Sequence, residues 1–237
     1  MESQHISVEN QHIKELNGLE LFDFALNKTH QHGFDYFFLR TTSILGSTHL
    51  NSNYLTNYPN EVVEYYKTNG AIYKNALVIQ CQRSIDPIIW DESIFRKTPV
   101  LWQKTQLLGL HFGWSQSVYD VKGMTSMLSL ARSSAPITCE EFDAKAADVL
   151  LLCNQLHKAM LAKIPQKHKT LSSLDHLSLR EIEVLKWTAQ GKTASDVGMI
   201  LDLTTRTVNF HISSAIRKLG TSNKTSAVVL ATQLGII

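Results

Sequence analysis

The sequence predicts an α+β protein in two parts. Residues 1–164 read as an N-terminal α/β/α sandwich around an antiparallel sheet, and residues 175–237 as an all-α C-terminal domain of four helices. Three observations predict it. Before Pro165, aromatic-rich and alternating runs mix with helical periodicities, without the regular strand–helix alternation of a parallel sheet. The stretch Ile164-Pro-Gln-Lys-His-Lys-Thr and the serines after it are polar and read as a linker, residues 165–174. From Leu177 onward, short amphipathic segments follow one another, each behind a capping residue.

In chain order, residues 1–10 are polar and are expected to be disordered. Ile13 to His32 predicts an amphipathic helix with Leu16, Leu19, Phe22, Ala25 and Leu26 on its apolar side, closed by Gly33. Phe34–Thr42 reads as a strand with Phe38, Arg40 and Thr42 on one face, and a second strand is expected near His49–Leu55. Pro59 suits the first turn of a helix that carries Val62, Val63 and Tyr66. A short helix is expected over Asn75–Arg83, and Pro87 breaks the chain before Trp90. Another helix opens at Pro99 and runs through Leu108, with Gly109 and Gly113 marking its end and a turn. Val118–Val121 and Met124–Ala131, around Gly123, predict a hairpin. Thr138, followed by Glu140 and Glu141, then opens a long helix to about Ile164.

In the C-terminal part, Ser178 and Glu181 form an S-x-x-E capping box, and Ile182, Leu185 and Ala189 share one face of a helix that Gly191 ends. Thr193 caps the next helix, whose apolar positions are Val197, Ile200 and Leu201. Thr204 caps a third after the brief turn at Asp202 and Leu203, and a fourth begins at Lys224. Two short helices joined by a tight turn, the second free to enter a major groove, make a helix-turn-helix. In that second helix Val208, Ile212, Ala215, Ile216 and Leu219 fall together and face the core. Arg206, Phe210, Ser213 and Arg217 are left outward, bordered by Asn209 and Ser214. Arginine pairs bidentately with guanine and phenylalanine can touch a thymine methyl, so Arg206, Asn209, Phe210 and Ser213 are candidate base readers. Lys192, Thr205, Thr207 and Lys224 surround them and suit phosphate contacts. One such helix would be no more than a solvated face on a bundle. Four capped helices in this order argue for more.

Charge is distributed to match. The formal net charge is +2, but residues 166–237 hold nine Lys and Arg against five Asp and Glu, a net +4 that leaves −2 for the rest. Cys81, Cys139 and Cys153 show no C-x-x-C spacing, so reduced thiols are expected rather than a disulfide framework or zinc site. No apolar run approaches the roughly 20 residues that cross a membrane, and the polar N-terminus has no signal-peptide core. His30-x-His32 has no further ligand beside it and reads as a solvated helix end. Asp86-Pro87 and Asp91-Glu92 read as surface turns, and Tyr65, Tyr66 and Trp102 as core. With no triad, P-loop or metal cluster, neither catalytic residues nor a metal are expected, and the protein is not read as an enzyme.

The C-terminal stretch resembles the DNA-binding domain of the LuxR family. Glu181, Leu185 and Gly191 stand at that family's spacing, and Thr-Val-Asn-Phe-His at 207–211 and Arg-Lys-Leu at 217–219 match as well. The N-terminal part is similar to the family's autoinducer-binding domain through Asn-Tyr-Pro (57–59), Ile-Ile-Trp (88–90), Gly109, Gly113 and Met-Leu-Ser-Leu-Ala-Arg-Ser (127–133). The resemblance implies a cytoplasmic, dimeric quorum-sensing transcription factor that binds double-stranded DNA and a small-molecule autoinducer and has no other cofactor. It also implies a pocket for an acyl-homoserine lactone, with Tyr58 and Ser129 at the acyl amide, Trp90 at the lactone carbonyl and Tyr66 in the wall.

Three positions depart from the family pattern. Val62 stands where the family has a tryptophan over the lactone, and Asn75-Ala76 stands where it has Asp-Pro. An asparagine oxygen accepts an amide N–H less strongly than a carboxylate, by about 1 kcal/mol or more. Arg40 stands where the family often has glycine, and the strand parity above turns it toward the pocket. A buried arginine needs an acceptor. There it would bind an acidic ligand or fill the cavity; with the opposite register it points to solvent. Three readings follow: a lactone receptor, a receptor for a related or non-lactone molecule, and an orphan regulator that works without lactone or by heterodimerising with related receptors. An enzyme fused to a helix-turn-helix is the remaining class, which a turnover assay would discriminate.

Overall fold

The computed structural model describes residues 13–43, 53–68, 75–120, 123–164 and 177–237. The expectations for residues 1–10, for the linker at 165–174 and for the start of the second strand lie outside these. The chain divides into two compact units, Met1–Ile164 and Pro165–Ile237.

In the first unit, the helix expected from Ile13 is interrupted: residues 13–15 are helical, residues 16 and 17 are not, and helix α1 (Gly18–Gln31) starts afresh at Gly18 because Asn17 builds a capping box. The Asn17 side chain accepts from the N–H groups of Leu19 and Glu20 at 2.9 and 3.0 Å, and Glu20 accepts from Asn17 N–H at 2.7 Å. Leu21, Ala25 and Thr29 form its buried stripe. Leu19 was expected in the core but is 80% exposed; it lies two residues, about 200° of helix, away from Leu21. The chain continues through β1 (Tyr36–Ser43), β2 (Asn53–Thr56), α2 (Asn60–Thr68), α3 (Ala76–Cys81), β3 (Ile88–Ile89), α4 (Pro99–Leu107), β4 (Phe112–Tyr119), β5 (Met124–Arg132) and α5 (Cys139–Lys163). The strands pair in the order β2-β1-β5-β4-β3, every neighbouring pair antiparallel.

Two features of this sheet differ from expectation. The short β3 was not anticipated, and β4 begins at Phe112, so that Gly113 lies inside a strand instead of in a turn. The reason is Trp90, whose indole lies flat over Gly113. A Cβ there would stand 2.2 Å from the ring.

Alternate residues of the strands face opposite layers. Phe37, Leu39, Trp114, Val118, Leu128 and Leu130 pack with Leu21 and Ala25 of α1 and with Val149, Leu152, Cys153 and Leu156 of α5. Phe38, Met127 and Ala131 face the other way, toward Val62 and Val63 of α2, Leu77, Val78 and Cys81 of α3, and Leu101 of α4. The sheet is therefore covered on both sides, the α/β/α sandwich expected. The start of α5 is tied back to the sheet: Arg132 donates to both carboxylate oxygens of Glu141 at 2.8 and 2.5 Å, and Lys145 adds a third bond at 2.7 Å. The Arg132 guanidinium, with Lys145, holds the Glu141 carboxyl down to about 2.

The second unit comprises α6 (Leu179–Ala189), α7 (Ala194–Leu201), α8 (Thr205–Lys218) and α9 (Lys224–Gln233). Ser178, Thr193, Thr204 and Asn223 cap them, each side chain accepting from the backbone N–H three residues on. Leu185, Ala215, Leu219, Ala227 and Ala231 form one small core, and Val184, Val197, Val208 and Ile212 another beside it.

Candidate DNA-reading and ligand-binding sites

The turn between α7 and α8 sets the direction of the second helix. Asp202 takes a left-handed conformation (φ 53°) and Leu203 N–H donates to the Gly198 carbonyl at 2.8 Å. The returning chain passes so close that a Cβ on Gly198 would stand 2.7 Å from the Leu203 carbonyl oxygen. Gly198 has no role in the sequence pattern of apolar and capping positions, and only the returning chain shows why a glycine stands inside this helical run.

Helix α8 buries Val208, Ile212 and Ala215, and Leu219 at its C-cap is buried as well. Thr205, Arg206, Asn209, Ser213 and Arg217 are exposed, as is Phe210, a large aromatic left 66% accessible on a polar face. Thr207 is half-buried, its hydroxyl 2.9 Å from that of Thr204. Lys192 and Lys224 are exposed. Ser214, placed at the border of the outward face by periodicity, is buried instead, because it stands beside Ala215 and points to Glu181. Glu181 is itself buried, accepting from Ser178 N–H at 2.7 Å and from Lys218 Nζ at 2.9 and 2.8 Å. Burial alone would raise its carboxyl, but the bonds from Lys218, Ser178 and Ser214 outweigh this and hold it below the ordinary glutamate range. Lys218 thus serves the fold.

In the first unit, a polar seam crosses the layer between the sheet and α2–α4. Trp90 Nε1 donates to Ser115 Oγ at 2.9 Å, and Ser115 Oγ lies 2.7 Å from Ser129 Oγ. Ser115 went unnoticed in the sequence; only the pairing of β4 with β5 brings it opposite Ser129. Tyr58 is buried, and its hydroxyl has no hydrogen-bond partner among the described residues. Phe38 gathers the rings of Tyr54, Tyr58 and Tyr66 at 5.9, 5.5 and 5.6 Å. Burial pushes the phenols of Tyr58 and Tyr66 well above their usual range, so both stay neutral donors.

The three departing positions fall in this layer. Val62 is completely buried among the apolar residues. Asn75 caps α3: its Oδ1 accepts from Leu77 N–H at 3.0 Å, while its Nδ2 donates to the Tyr66 hydroxyl at 3.4 Å. Arg40 is only 3% exposed, on the same face of β1 as Phe38. A separate open cleft of about 650 Å³, lined by Asp91, Glu92, Ser93, Phe95, Arg96, Pro99 and Trp102, contains none of the residues singled out for a ligand. No group of His, Cys, Asp and Glu among the described residues is placed to hold a metal ion.

Comparison with known proteins matches both units. Residues 19–160 fit the family described as an autoinducer binding domain, and residues 175–231 fit bacterial regulatory proteins of the luxR family. The chain is 31% identical to the transcriptional activator protein AnoR of Acinetobacter nosocomialis over 220 residues, 92% of each chain. It is 37% identical to the transcriptional activator protein SolR of Ralstonia nicotianae over 180 residues, 76% of each. Among solved structures, SdiA in complex with octanoyl-rac-glycerol superposes with a TM-score of 0.70 at 25% identity, covering 97% of this chain and 94% of that one.

Proposed function

The chain belongs to the LuxR family of autoinducer-binding transcriptional regulators, and from that premise we propose which residues of each unit carry the work. The protein is a ligand-regulated, DNA-binding transcriptional regulator. In our reading α8 lies in the major groove. Arg206, Asn209, Phe210 and Ser213 read base edges, and Lys192, Thr205, Thr207, Arg217 and Lys224 hold phosphates. The regulator acts in the cytoplasm as a homodimer on a near-palindromic site, with a related receptor as the other candidate partner. No helix among the described residues is long and apolar enough to cross a membrane.

The ligand occupies the layer between the sheet and α2–α4, where Tyr58, Trp90 and Ser129 meet its head group and Val62, Tyr66, Asn75 and Arg40 complete the walls. One observation carries this: a buried tyrosine hydroxyl without a partner among the described residues, in the layer that also holds the Trp90–Ser115–Ser129 seam. Buried polar atoms are seldom left unsatisfied unless something else supplies the bond. An acyl-homoserine lactone supplies a carbonyl oxygen for Tyr58, whereas the single Trp90 N–H is held by Ser115 and reaches a lactone carbonyl only by releasing that bond. The comparisons do not favour the alternative of a regulator that needs no ligand.

Asn75 favours a second reading of the head group. With Oδ1 engaged at the helix cap, the atom left for a ligand is an N–H donor, which suits an ester oxygen better than an amide N–H. SdiA holds such an ester, octanoyl-rac-glycerol. The test is calorimetric titration of N-octanoyl-homoserine lactone and of octanoylglycerol into wild type, Asn75→Asp and Tyr58→Phe. An aspartate keeps the cap with one oxygen and offers the other, so Asn75→Asp should tighten the lactone at least fivefold and leave octanoylglycerol unimproved. Tyr58→Phe should weaken both ligands. If neither ligand binds wild type or Asn75→Asp, this account of the layer fails.

A further inference from the structure

We propose that Phe210 reads the methyl group at pyrimidine C5, so that operator affinity depends on that methyl whichever base carries it, thymine or 5-methylcytosine. The inference rests on the reading of α8 as the base-reading helix and goes beyond it by naming the group read and a DNA modification to which the protein responds. Phe210 is 66% exposed, although the other large apolar side chains of α8 turn inward. At 100° per residue Arg206, Phe210, Ser213 and Arg217 lie within about 60° of one another around the helix axis, opposite the buried Val208 and Ile212. Arg206 stands one turn before the ring and Arg217 two turns after it, both exposed, and no residue from Thr205 to Lys218 is acidic. The ring meets that of His211 edge-on, centroids 5.8 Å apart.

An apolar ring set between two cations fits a surface that is anionic overall and apolar at one point. The major groove is such a surface: phosphates border it, and the one apolar group on its base edges is the thymine methyl. A phenyl ring has no donor or acceptor, so it cannot distinguish O4, N4, N6 or N7. Laid on those atoms it strips their water and returns no bond; laid on a methyl it takes apolar surface of both partners out of water. Thymine and 5-methylcytosine carry the methyl at the same ring position and differ at position 4, an acceptor in one and a donor in the other, to which the ring is indifferent. Position along the groove follows from the helix. Phe210 lies four residues beyond Arg206, a rise of about 6 Å, and base pairs step by about 3.4 Å. The methyl therefore falls within about two base pairs of the guanine that Arg206 reads.

The experiment starts from the duplex that full-length protein selects out of random DNA, with and without N-octanoyl-homoserine lactone. Each thymine of that site is replaced in turn by uracil, in both half-sites, and the position that responds is also made as cytosine and as 5-methylcytosine. Wild type, Phe210→Ala and Phe210→Leu are titrated by fluorescence anisotropy and judged by the ratio of affinities with and without the methyl, so a general loss of affinity cancels. In wild type one thymine, within about two base pairs of the guanine whose preference Arg206→Ala relaxes, should lose about threefold or more per half-site as uracil. At the same position 5-methylcytosine should exceed cytosine by a similar factor. Both ratios should approach one in Phe210→Ala and lie between in Phe210→Leu. Wild-type ratios near one at every thymine, or ratios that persist in Phe210→Ala, overturn the proposal while the Arg206→Ala result still upholds α8 as the reading helix. A uracil loss without a 5-methylcytosine gain overturns it too, since the readout is then confined to thymine. Should Phe210→Ala bind no DNA, Phe210→Leu decides by the same ratios: a fall supports the proposal and no change overturns it. If full-length protein selects no sequence, the base-reading role of α8 is wrong and the proposal goes with it.

Discussion

Arg206 and Lys224 are both exposed cations of the DNA-binding unit, yet their positions assign them different effects. Arg206 stands in the first turn of α8, where recognition helices approach base edges, and Lys224 starts α9. Arg206→Ala should cost about 1–3 kcal/mol on the true operator and relax preference at one base pair. Lys224→Ala should weaken all DNA alike and lower the salt slope by about 1. Anisotropy titrations over a salt series check both. A changed base preference in Lys224→Ala but not in Arg206→Ala would mean that α8 is turned differently. A second residue with a defined signature is His157, buried against the sheet with Nδ1 2.8 Å from Ser126 Oγ, which in turn lies 2.6 Å from Thr41 Oγ1. Burial pushes its imidazole below the usual value of 6.5, Lys158 adds to this, and Asp120 opposes it. Below that value the unfolded chain takes up a proton that the folded chain resists. The contribution to stability is therefore whole above pH 6.5 and declines as pH falls. Glu141 titrates in a lower window, between the ordinary carboxylate range and about 2. Denaturant midpoints should drop from pH 7 to 5.5, and drop less in His157→Gln; His32, lowered for the same reason, keeps some of the effect.

Four helix starts were legible because capping is local chemistry, whereas the capping box at Asn17 was not read from the sequence. Ser178, Thr193, Thr204 and Thr138 each stand at the N-cap that their side chains suggested, and removing such a cap typically costs about 1 kcal/mol. The extent of β4 and the existence of β3 were not legible. They depend on Trp90 lying across Gly113, a contact 23 positions apart in the chain that no local pattern encodes. Gly198 belongs to the same class, since its requirement comes from the return of the chain at Leu203. Gly198→Ala places a Cβ against a backbone oxygen that cannot rotate away, and α8 must shift relative to α7. The expected loss of stability is about 1–3 kcal/mol, and operator affinity should fall further than partial unfolding explains. Equal affinity in Gly198→Ala, measured where the variant is fully folded, would show that the turn yields without moving the helix.

At the scale of the whole molecule, strand parity was the strongest guide: a period of two assigned Arg40 to the face of Phe38, and the sheet places it there. Sequence served less well for association. At the C-terminal end Ala227, Leu230, Ala231 and Leu234 recur at helical spacing, an apolar stripe that by sequence exceeds what a small core needs and reads as a surface for a second copy. In the structure Ala227 and Ala231 are completely buried and Leu230 packs on the core they close, so most of that stripe is accounted for within one chain. The apolar side chain that α9 leaves outside is Val229, 41% exposed. Pairing of two protomers remains our expectation, because one helix offers few base contacts and joining two half-sites raises the effective concentration of the second. Val229→Asp is the sharper probe, since it adds a charge on the outer side of α9 without opening the core. Melting should be little changed, while affinity for a two-half-site operator should fall at least tenfold, about 1.4 kcal/mol. Binding to an isolated half-site should be unaltered. Undiminished binding to the full operator would remove α9 from the dimer contact, and a parallel loss on the half-site would make Val229 a DNA contact instead.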